Sequence, residues 1–427
     1  MKIFCTPNGN THSVPQTDLK VILFDSSKIQ GEGYIGNSIW KEIKKKKLNP
    51  HSKAWDILSI ALSVIAADHA GHRGKSHDGW TRVFELVIAV NDKDFWNMQA
   101  SLLSKQLGFL TSDLWDLKFV EGGFFPKHKK RKEILYPNND SVTLLSGGLD
   151  SFIGIVDLIE KGLNPYAVSQ KVNDDAKKQR DIVKLFSKEV PLIQLNHNVQ
   201  VPNGESPPSQ RARSIIFLAY GILIASCLDK CKQGEQVTLY MCENGYISLN
   251  PPLTQIRIGS LSTRTTHPVF LNLFQQLLNE AELKIKIDNP YQCRTKGQML
   301  QDCRNQEILL SYASKTTSCG RYRVHKHMHC GRCVPCLVRR AAFKRWRHED
   351  QTVYKYNDLS IQSDDYSNYD DVKSVAMAIL EIRKSGLDAW LGTNLNTALL
   401  GDTTGYKATI VEGLNELEDF LKGYNIL

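Results

Sequence analysis

The chain has 427 residues, of which 41% are hydrophobic and 23% are charged. This composition is typical of a globular protein, and the length exceeds that of one ordinary domain. No apolar run is long enough to cross a bilayer, and the first residues lack the apolar core and cleavage site of a signal peptide. We therefore expect a cytoplasmic, multidomain protein.

The formal net charge is +9, and part of it lies in two basic runs, at residues 44–47 and 127–132. Such runs are typical of proteins that bind nucleic acid or another polyanion. Neither run is interleaved with the aromatic residues on which bases stack, so we favour solvated loops over a nucleic-acid interface. An acidic protein partner is a third explanation.

Residues 1–120 predict an α+β accessory domain with a core of its own. We expect an apolar helix at 54–67, a strand at 82–90 and a second helix with one apolar face at 95–110. Residues 121–140 combine glycines, prolines and the second basic run, which is typical of a linker.

The pattern changes at residue 141, where short apolar strands begin to alternate with helices. This alternation predicts an α/β domain at 141–345, with a parallel sheet that carries helices on both faces. Ligands of such a sheet bind at the carboxyl ends of its strands. Residues 346–427 begin with an acidic stretch and continue as a helical appendage. The strands are expected at 142–145, 166–169, 191–195 and 236–242.

A glycine-rich loop, Ser-Gly-Gly-Leu-Asp-Ser, joins the first of these strands to a helix. Gly147 and Gly148 allow a sharp turn that presents backbone N–H groups to an anion, beside the positive end of the helix. Ser146 and Ser151 add hydroxyl donors. Asp150 makes chemical sense in a phosphate-binding loop if Mg²⁺ bridges it to the phosphates. The loop differs from the Walker A pattern, because no Gly-Lys-Ser/Thr follows.

This loop resembles the signature of the PP-loop ATP pyrophosphatases, which adenylate a substrate and release pyrophosphate. The resemblance implies the adenine nucleotide alpha hydrolase-like fold, with ATP and Mg²⁺ as cofactors. An ordinary glycine turn with serine caps is the alternative, which the strand–loop–helix context disfavours. The residues implied in nucleotide binding are Ser146, Gly147, Gly148, Leu149, Asp150, Ser151 and Ser169.

Four cysteines form a second motif, a knuckle at residues 319–336. Cys330, Cys333 and Cys336 stand at C-x₂-C spacings, and Cys319 supplies a fourth thiolate from across a basic, histidine-rich loop. Four thiolates are typical of a closed, structural Zn²⁺ site. A histidine in place of Cys319, an iron–sulfur cluster and disulfide pairing are the alternatives, and a reducing cytosol disfavours the last.

The knuckle, with Arg339 and Phe343 behind it, is similar to that of the 7-cyano-7-deazaguanine synthase (QueC) family, which also carries the glycine-rich loop. The resemblance covers residues 140–345. It implies that the carboxylate of a 7-carboxy-7-deazaguanine attacks the α-phosphate of ATP, giving an acyl-adenylate and pyrophosphate. In the family, ammonia then attacks the acyl-adenylate, and a second ATP dehydrates the amide to a nitrile.

Further positions agree more loosely with this family. Arg211 and Arg213 precede an apolar helix, and Lys296 follows a proline-containing segment. The resemblance implies that these cations stabilise charge on the α-phosphate or the leaving group. Glu243 and Asn244 follow a strand, where the family keeps substrate-binding residues. A buried cap for Asn244 and a solvated surface position for Arg211 are the alternatives.

The synthases of this family are shorter, and residues 1–140 and 346–427 have no counterpart in them. Three segments of the front part, at 66–68, 79–82 and 109–115, resemble the QatC family of the Qat anti-phage system; a related family occurs in some CBASS systems. This implies that the deazapurine is transferred to a partner protein, which docks on the accessory domain. A free-standing synthase for queuosine precursors and a non-catalytic nucleotide-binding scaffold are the alternatives.

Overall fold

The computed structural model describes residues 1–7, 16–25, 29–126, 135–172, 175–206, 211–254, 264–361, 371–392, 395 and 397–427. Two parallel five-stranded sheets organise these residues. Both sheets carry helices, so the predicted α/β class is confirmed. The basic run at 127–132 and the start of the proline-containing segment before Arg211, at 207–210, lie outside the described residues, as does the acidic stretch at 362–370.

The first sheet belongs to the N-terminal part and has the strand order β3-β2-β1-β4-β5, with every neighbouring pair parallel. Only β4 was predicted from the sequence, because the other strands are short or lack a continuous apolar run. The strands are β1 (Lys2–Pro7), β2 (Leu19–Leu23), β3 (Gly33–Ile35), β4 (Val83–Val90) and β5 (Leu114–Glu121). The helices are α1 (Ile39–Lys45), α2 (Ser52–Ala70), α3 (Lys93–Met98) and α4 (Ala100–Thr111).

The second sheet has the order β10-β9-β6-β7-β8 and is also parallel throughout. The four predicted strands are present, and β10 adds a fifth at one edge. The strands are β6 (Ser141–Leu144), β7 (Pro165–Gln170), β8 (Leu192–Leu195), β9 (Val237–Tyr240) and β10 (Ile285–Asp288). The helices are α5 (Leu149–Glu160), α6 (Asp175–Val183), α7 (Arg213–Ala225), α8 (Asp229–Lys232), α9 (Gly245–Ser248), α10 (Pro268–Glu280), α11 (Lys296–Asp302) and α12 (Gln306–Tyr312).

The two sheets share one hydrophobic core. Helix α2 is buried on nearly all sides and packs against α7 of the second sheet. Trp55 and Ile60 of α2 belong to the same apolar cluster as Ile216 and Leu223 of α7. The prediction that the N-terminal part has a core of its own is therefore wrong. The domain boundaries themselves stay predictions.

The C-terminal part is helical, as predicted, and it packs back onto the second sheet. Its helix α16 contacts both α13, which carries Cys336, and α9, which follows strand β9. The helices are α13 (Val334–Trp346), α14 (Asp371–Ser385), α15 (Leu387–Leu391) and α16 (Thr404–Lys422). Short 3₁₀ turns occur at Arg73–Lys75, Arg264–Thr266, Ala313–Lys315 and Ala398–Leu400.

Within the described ranges, none of the helices combines the length and apolar character that a membrane span needs.

Candidate nucleotide-binding site and cysteine cluster

The glycine-rich loop connects β6 to α5 and closes on itself through side-chain hydrogen bonds. Gly147 has a φ of +87°, a left-handed conformation that other residues adopt at a cost. The backbone N–H of Gly148 donates to Ser146 Oγ at 3.1 Å, and the hydroxyl oxygens of Ser146 and Ser151 lie 3.0 Å apart. A Cβ on Gly148 would lie 3.0 Å from the carbonyl oxygen of Thr317. The backbone conformation therefore favours glycine at 147, and the close approach of Thr317 favours it at 148.

The loop lies where the strand order of the second sheet reverses. Strand β6 stands between β7 and β9, so the carboxyl ends of three strands meet beside the loop. Ser169 is the second-last residue of β7, while Glu243 and Asn244 follow β9. In parallel α/β sheets this crevice is the usual ligand site.

Asp150 is the centre of a buried polar cluster at this crevice. Only 5% of Asp150 is exposed, and its Oδ2 accepts a hydrogen bond of 2.7 Å from Asn244 Nδ2. Its Oδ1 forms an ion pair with Lys296 Nζ. Asn244 Nδ2 also donates to Glu243 Oε1 at 3.2 Å. The structure thus brings together four predicted site residues from three separate segments of the chain.

Asn244 is a buried helix cap, the alternative that the sequence left open to substrate binding, and it also contacts Asp150. Its side-chain oxygen accepts from the backbone N–H of Ile247 at 2.9 Å and so caps α9. Its amide nitrogen faces Asp150. The cap fixes the orientation of the amide, which then presents donors to the two carboxyl groups.

The pKa values of the two carboxyl groups in the cluster, Asp150 and Glu243, are shifted in opposite directions. Burial would raise the pKa of Asp150, but the charge of Lys296 and the hydrogen bonds around it lower that pKa to about 2. Burial and the charge of Asp150 raise the pKa of Glu243 well above its ordinary value. At neutral pH Asp150 is therefore ionised, and Glu243 resists ionisation.

Two adjoining cavities open around this cluster. A cavity of 230 Å³, here called the loop cavity, is lined by Gly148, Asp150, Ser151 and Lys296 among others. A cavity of 180 Å³, the strand cavity, is lined by Ser169, Gln170, Arg213 and Phe217 among others. Ser146, Cys242 and Glu243 line both cavities. A ligand with an anionic end and a planar apolar end would fit across the two.

The two predicted arginines are placed differently. Arg213 lines the strand cavity, where its Nη2 donates to Gln170 Oε1 at 3.5 Å. Burial and the charge of Arg323 lower the pKa of Arg213. An anion that entered the cavity would therefore stabilise the charged form of Arg213. Arg211 lies over the ring of Trp80, 3.9 Å from its centroid, and lines neither cavity.

The two remaining predicted nucleotide-binding residues have structural partners. Ser169 Oγ donates to the carbonyl oxygen of Leu145 at 2.6 Å, at the start of the loop. Leu149 is 1% exposed and packs in the core beneath the loop, although it also lines the loop cavity.

Gln179, on α6, is a supporting residue that sequence reasoning missed. It is 1% exposed, and its Nε2 donates to the carbonyl oxygens of Ser146 at 3.2 Å and Gln170 at 3.1 Å. It therefore ties the loop to the end of β7. The sequence does carry a signal, because Ala176, Gln179 and Ile182 are spaced at three residues and form the buried face of α6.

Asp150 and Glu243 could hold a magnesium ion. Both carboxyl groups line the loop cavity, and Mg²⁺ prefers oxygen ligands of this kind. The charge of Asp150 contributes to the raised pKa of Glu243, because two ionised carboxyl groups would repel each other. A divalent cation between them would relieve this repulsion. The residues present therefore fit the cation that the glycine-rich loop implies.

The four cysteines of the knuckle come together as predicted. Their Sγ atoms all lie within 4.8 Å of one another, with 3.9 Å between Cys319 and Cys333 and between Cys330 and Cys336. Ligands of a tetrahedral zinc ion, with Zn–S bonds of about 2.3 Å, are separated by about 3.8 Å. A disulfide requires sulfur atoms only about 2.05 Å apart, so the spacing fits zinc and excludes pairing.

Backbone hydrogen bonds to sulfur support this assignment. The N–H groups of Arg321 and Cys330 both donate to Cys319 Sγ at 3.3 Å, and the N–H of Cys333 donates to Cys330 Sγ at 3.2 Å. Such bonds stabilise thiolates, the form that binds a metal. His329 Nε2 accepts from the backbone N–H of Ser318 at 3.1 Å and so has a structural role outside the cluster.

The knuckle lies directly against the glycine-rich loop. The backbone N–H of Thr317 donates to the carbonyl oxygen of Gly147 at 3.2 Å, and Ser318 lines the loop cavity. Arg339 is fully buried, and its Nη1 donates to Ser318 Oγ at 3.1 Å and Thr316 Oγ1 at 3.0 Å. The cysteine cluster and Arg339 therefore fix one wall of the loop cavity.

Part of the chain is similar to a known protein family. Residues 265–347 match the family model described as Queuosine biosynthesis protein QueC. This range includes Lys296, the four cysteines and Arg339, but it does not include the glycine-rich loop. No solved structure matches the chain significantly.

Two curated proteins show the similarity over a longer range. The 7-cyano-7-deazaguanine synthase of Citrifermentans bemidjiense is 24% identical over 241 residues, which cover 50% of this chain and 97% of that protein. The 7-cyano-7-deazaguanine synthase of Acetivibrio thermocellus is 25% identical over 230 residues, which cover 48% of this chain and 92% of that protein. The chain is thus QueC-like, with homology to these synthases at low identity over about half of its length.

Proposed function

We propose that this protein adenylates the carboxylate of a 7-carboxy-7-deazaguanine with ATP and then transfers the acyl group to an amine. The observation that carries the proposal is the convergence of Asp150, Lys296 and Glu243 on one cavity at the glycine-rich loop. Such an arrangement suits phosphate chemistry, because it combines N–H donors, a cation and carboxyl groups for a metal. The similarity to 7-cyano-7-deazaguanine synthases supports the choice of carboxylate.

In the first step, a carboxylate oxygen of the substrate attacks the α-phosphorus of ATP. The bond between the α-phosphorus and the bridging oxygen breaks, and pyrophosphate leaves. In the second step, the nitrogen of an amine attacks the acyl carbon. AMP leaves with the carboxylate oxygen, the amine loses a proton, and an amide is formed. Catalysis of both steps depends mostly on positioning and on neutralising negative charge.

The residues of the loop have the roles that this chemistry needs. Ser146, Ser151 and the N–H groups of Gly147 and Gly148 would hold the pyrophosphate part of ATP. Asp150 would hold Mg²⁺, which neutralises phosphate charge when bound.

Cations and polar side chains beside the loop would hold the rest of the reactants. Lys296 and Arg213, which line the two cavities, would stabilise the α-phosphate and the leaving group. Arg213 rather than Arg211 is assigned this role, since Arg211 lies against Trp80 and lines neither cavity. Glu243 and Asn244 would face the substrate.

The proposed amine is the N-terminus of a partner protein, in a reaction of anti-phage defence. Two features support a protein acceptor over ammonia. The chain carries an entire parallel sheet at residues 2–121, and the residues that line the loop cavity all come from outside this sheet. Segments of this part resemble the QatC family of the Qat system. The first sheet would then be the docking surface for the partner.

A free-standing 7-cyano-7-deazaguanine synthase is the second candidate. Its support is that the match covers nearly the full length of two proteins with that name. The two candidates differ in their product. A synthase converts the free acid to a nitrile with ammonia and a second ATP, whereas the conjugating enzyme leaves the deazapurine on a protein.

Product mass separates the two candidates. The chain is co-expressed with the product of its neighbouring gene, purified, and incubated with Mg-ATP and 7-carboxy-7-deazaguanine. Intact-mass spectrometry should then find a deazaguanine-sized addition on the partner's N-terminus. Accumulation of free 7-cyano-7-deazaguanine, with an unmodified partner, would support the synthase instead. The variant Asp150→Asn serves as the inactive control.

A further inference from the structure

The C-terminal helix α16 reaches the candidate site through one buried carboxylate, Glu416. This residue is 8% exposed, although it belongs to a helical segment in which the sequence shows no catalytic motif. Its Oε1 accepts hydrogen bonds from Thr295 Oγ1 and, at 3.0 Å, from Arg345 Nη1. A carboxylate is seldom buried unless it has such partners.

Thr295 is the N-cap residue of α11, the helix that begins with Lys296. Its hydroxyl oxygen accepts a hydrogen bond from the backbone N–H of Gln298 at 3.1 Å, and its own backbone N–H donates to Gln298 Oε1 at 2.9 Å, which completes a capping box. The hydroxyl proton of Thr295 is directed to Glu416. Lys296, the first residue of α11, is therefore adjacent to a cap that Glu416 holds in place.

Helix α11 approaches Glu416 closely because it has a glycine, Gly297, next to Lys296. A Cβ on Gly297 would lie 2.5 Å from Glu416 Oε1 and 2.5 Å from Arg345 Cδ. Only glycine allows the backbone beside Lys296 to approach the carboxylate so closely.

Helix α16 also supports the opposite wall of the cluster. A Cβ on Gly413 would lie 2.2 Å from Cδ2 of Tyr246, and Thr409 packs against Gly245. Tyr246 and Gly245 belong to α9, the helix that Asn244 caps. One C-terminal helix thus contacts both segments that supply the partners of Asp150.

We propose that Glu416 is a positioning residue, which acts through Thr295 to hold Lys296 in its ion pair with Asp150. The C-terminal part then stabilises the geometry of the candidate site. Glu416 itself contacts no reacting atom. The catalytic consequence rests on the proposed function, whereas the placement of Lys296 can be measured without any activity.

Chain geometry offers a matched control on the same helix. Glu412, one turn before Glu416, also accepts a hydrogen bond from Arg345 Nη1, but its side chain is 37% exposed. The variants Glu412→Ala and Glu416→Ala each remove one partner of Arg345. Only Glu416→Ala removes the partner of Thr295.

Chemical labelling of Lys296 in the full-length protein provides the direct test. The Lys296 side chain is 7% exposed, so acetic anhydride should modify it slowly compared with Lys161, an exposed lysine that serves as the internal standard. Peptide mass mapping should show labelling of Lys296 about fivefold faster in Glu416→Ala and within about twofold of the parent in Glu412→Ala. An unchanged labelling rate in folded Glu416→Ala would overturn the proposal.

Variants of Thr295 keep the test valid if Glu416→Ala does not fold. Thr295→Val removes the hydroxyl and should expose Lys296 in the same way, while Thr295→Ser keeps the hydroxyl and should behave like the parent. Equal labelling of Lys296 in Thr295→Val and Thr295→Ser would contradict the proposal.

Kinetics give the second readout. Pyrophosphate release at saturating ATP should fall by about tenfold or more in Glu416→Ala and Thr295→Val, because a displaced group loses its transition-state contact. Thr295→Ser and Glu412→Ala should remain close to the parent. If even the parent releases no pyrophosphate, the proposed function fails, while the labelling result still decides the role of Glu416.

Discussion

Thr317 donates its backbone N–H to the carbonyl oxygen of Gly147 at 3.2 Å, so the cysteine knuckle and the glycine-rich loop are joined through their main chains. Cys319 follows Thr317 by two residues. A metal ion held by the four thiolates therefore supports one wall of the loop cavity, although none of these four cysteines is among the residues that line it.

The first prediction concerns this metal. Cys333→Ser should remove zinc and lower the melting temperature by on the order of 10 °C, since a closed thiolate site contributes to folding free energy. Elemental analysis and thermal unfolding measure the two effects. Cys293→Ser, at an exposed cysteine, is the control and should leave both unchanged. A parent protein without metal, or a Cys333→Ser protein of unchanged stability, would refute a structural zinc site.

The second prediction concerns Asp150. Asp150→Asn should abolish Mg-ATP turnover, because the amide cannot hold the cation. From the sequence alone we expect an intact fold, since the glycines set the loop backbone. Loss of the ion pair should lower the free energy of unfolding by about 3 kcal/mol, because the substitution leaves the buried ammonium of Lys296 without its partner. Denaturant unfolding measures it.

A second substitution separates the two effects of Asp150. The double variant Asp150→Asn/Lys296→Met removes both charges and should recover most of the stability that Asp150→Asn loses, without recovering turnover. Pyrophosphate release by a folded Asp150→Asn protein at the parental rate would remove Asp150 from the mechanism.

The third prediction is a pH dependence from Glu243. Its pKa is raised in the folded protein, so the folded state binds more protons than the unfolded state above the ordinary value of 4.5. Stability from this group is therefore present at low pH and declines as the pH rises from 4.5 towards the raised pKa. Glu243→Gln cannot ionise and should lack this decline.

The measurement is the difference in melting temperature between Glu243→Gln and the parent across the pH range from acid to neutral. The difference should grow in favour of Glu243→Gln as the pH rises. The second carboxyl of the pair behaves oppositely: the pKa of Asp150 is lowered to about 2, so its stabilising contribution is lost only as the pH falls towards that value. A pH-independent difference would contradict the raised pKa of Glu243.

The fourth prediction concerns docking of a partner on the first sheet. In β5, Trp115 and Phe119 are buried in the shared core, while Leu114, Asp116 and Lys118 are exposed on the other face. Parallel sheets are usually covered on both faces, so this face is the surface that a partner would cover. Deleting the N-terminal part would expose the shared core, and a substitution on this face is the cleaner test.

Leu114 is 60% exposed, and Leu114→Glu should weaken co-purification of the partner by about tenfold or more. Met377, on helix α14, is 69% exposed, and Met377→Glu is the matched control that should leave binding unchanged. Undiminished complex and conjugate formation by Leu114→Glu would count against docking on this face.

Salt dependence separates a protein partner from a nucleic acid. The basic run at 44–47 is exposed at the end of α1 and could contact phosphates. Binding that depends on phosphate contacts weakens steeply with added salt, whereas a protein interface with an apolar centre weakens much less. We predict the shallow dependence for the partner.

Local patterns account for the parts of the fold that the sequence predicted. The strands β6 and β7 are short apolar runs beside the glycine-rich loop and Pro165, and both were located within a residue or two. Strand β10 was missed, because its Ile-Lys-Ile-Asp sequence is too short and too polar to stand out. Strands β1 to β3 and β5 were missed for a similar reason, since they are short or interrupted by polar residues.

Contacts between distant segments account for what the sequence could not show. Asp150 and Lys296 were each selected for their own motifs, but their ion pair joins positions 146 apart. Thr295 and Glu416 are 121 positions apart, and no periodic pattern relates them. Arg211 and Arg213 look equivalent in sequence, yet the turn before α7 directs one to Trp80 and the other to the strand cavity.

The central claim is that an acyl-adenylate forms at the glycine-rich loop, and oxygen labelling tests it most directly. The full-length protein is incubated with Mg-ATP, an amine and 7-carboxy-7-deazaguanine whose carboxylate carries ¹⁸O. Attack on the α-phosphorus followed by aminolysis must transfer one labelled oxygen to AMP, which mass spectrometry detects. We predict labelled AMP and unlabelled pyrophosphate. Labelled inorganic phosphate together with ADP, or AMP without label, would contradict the account.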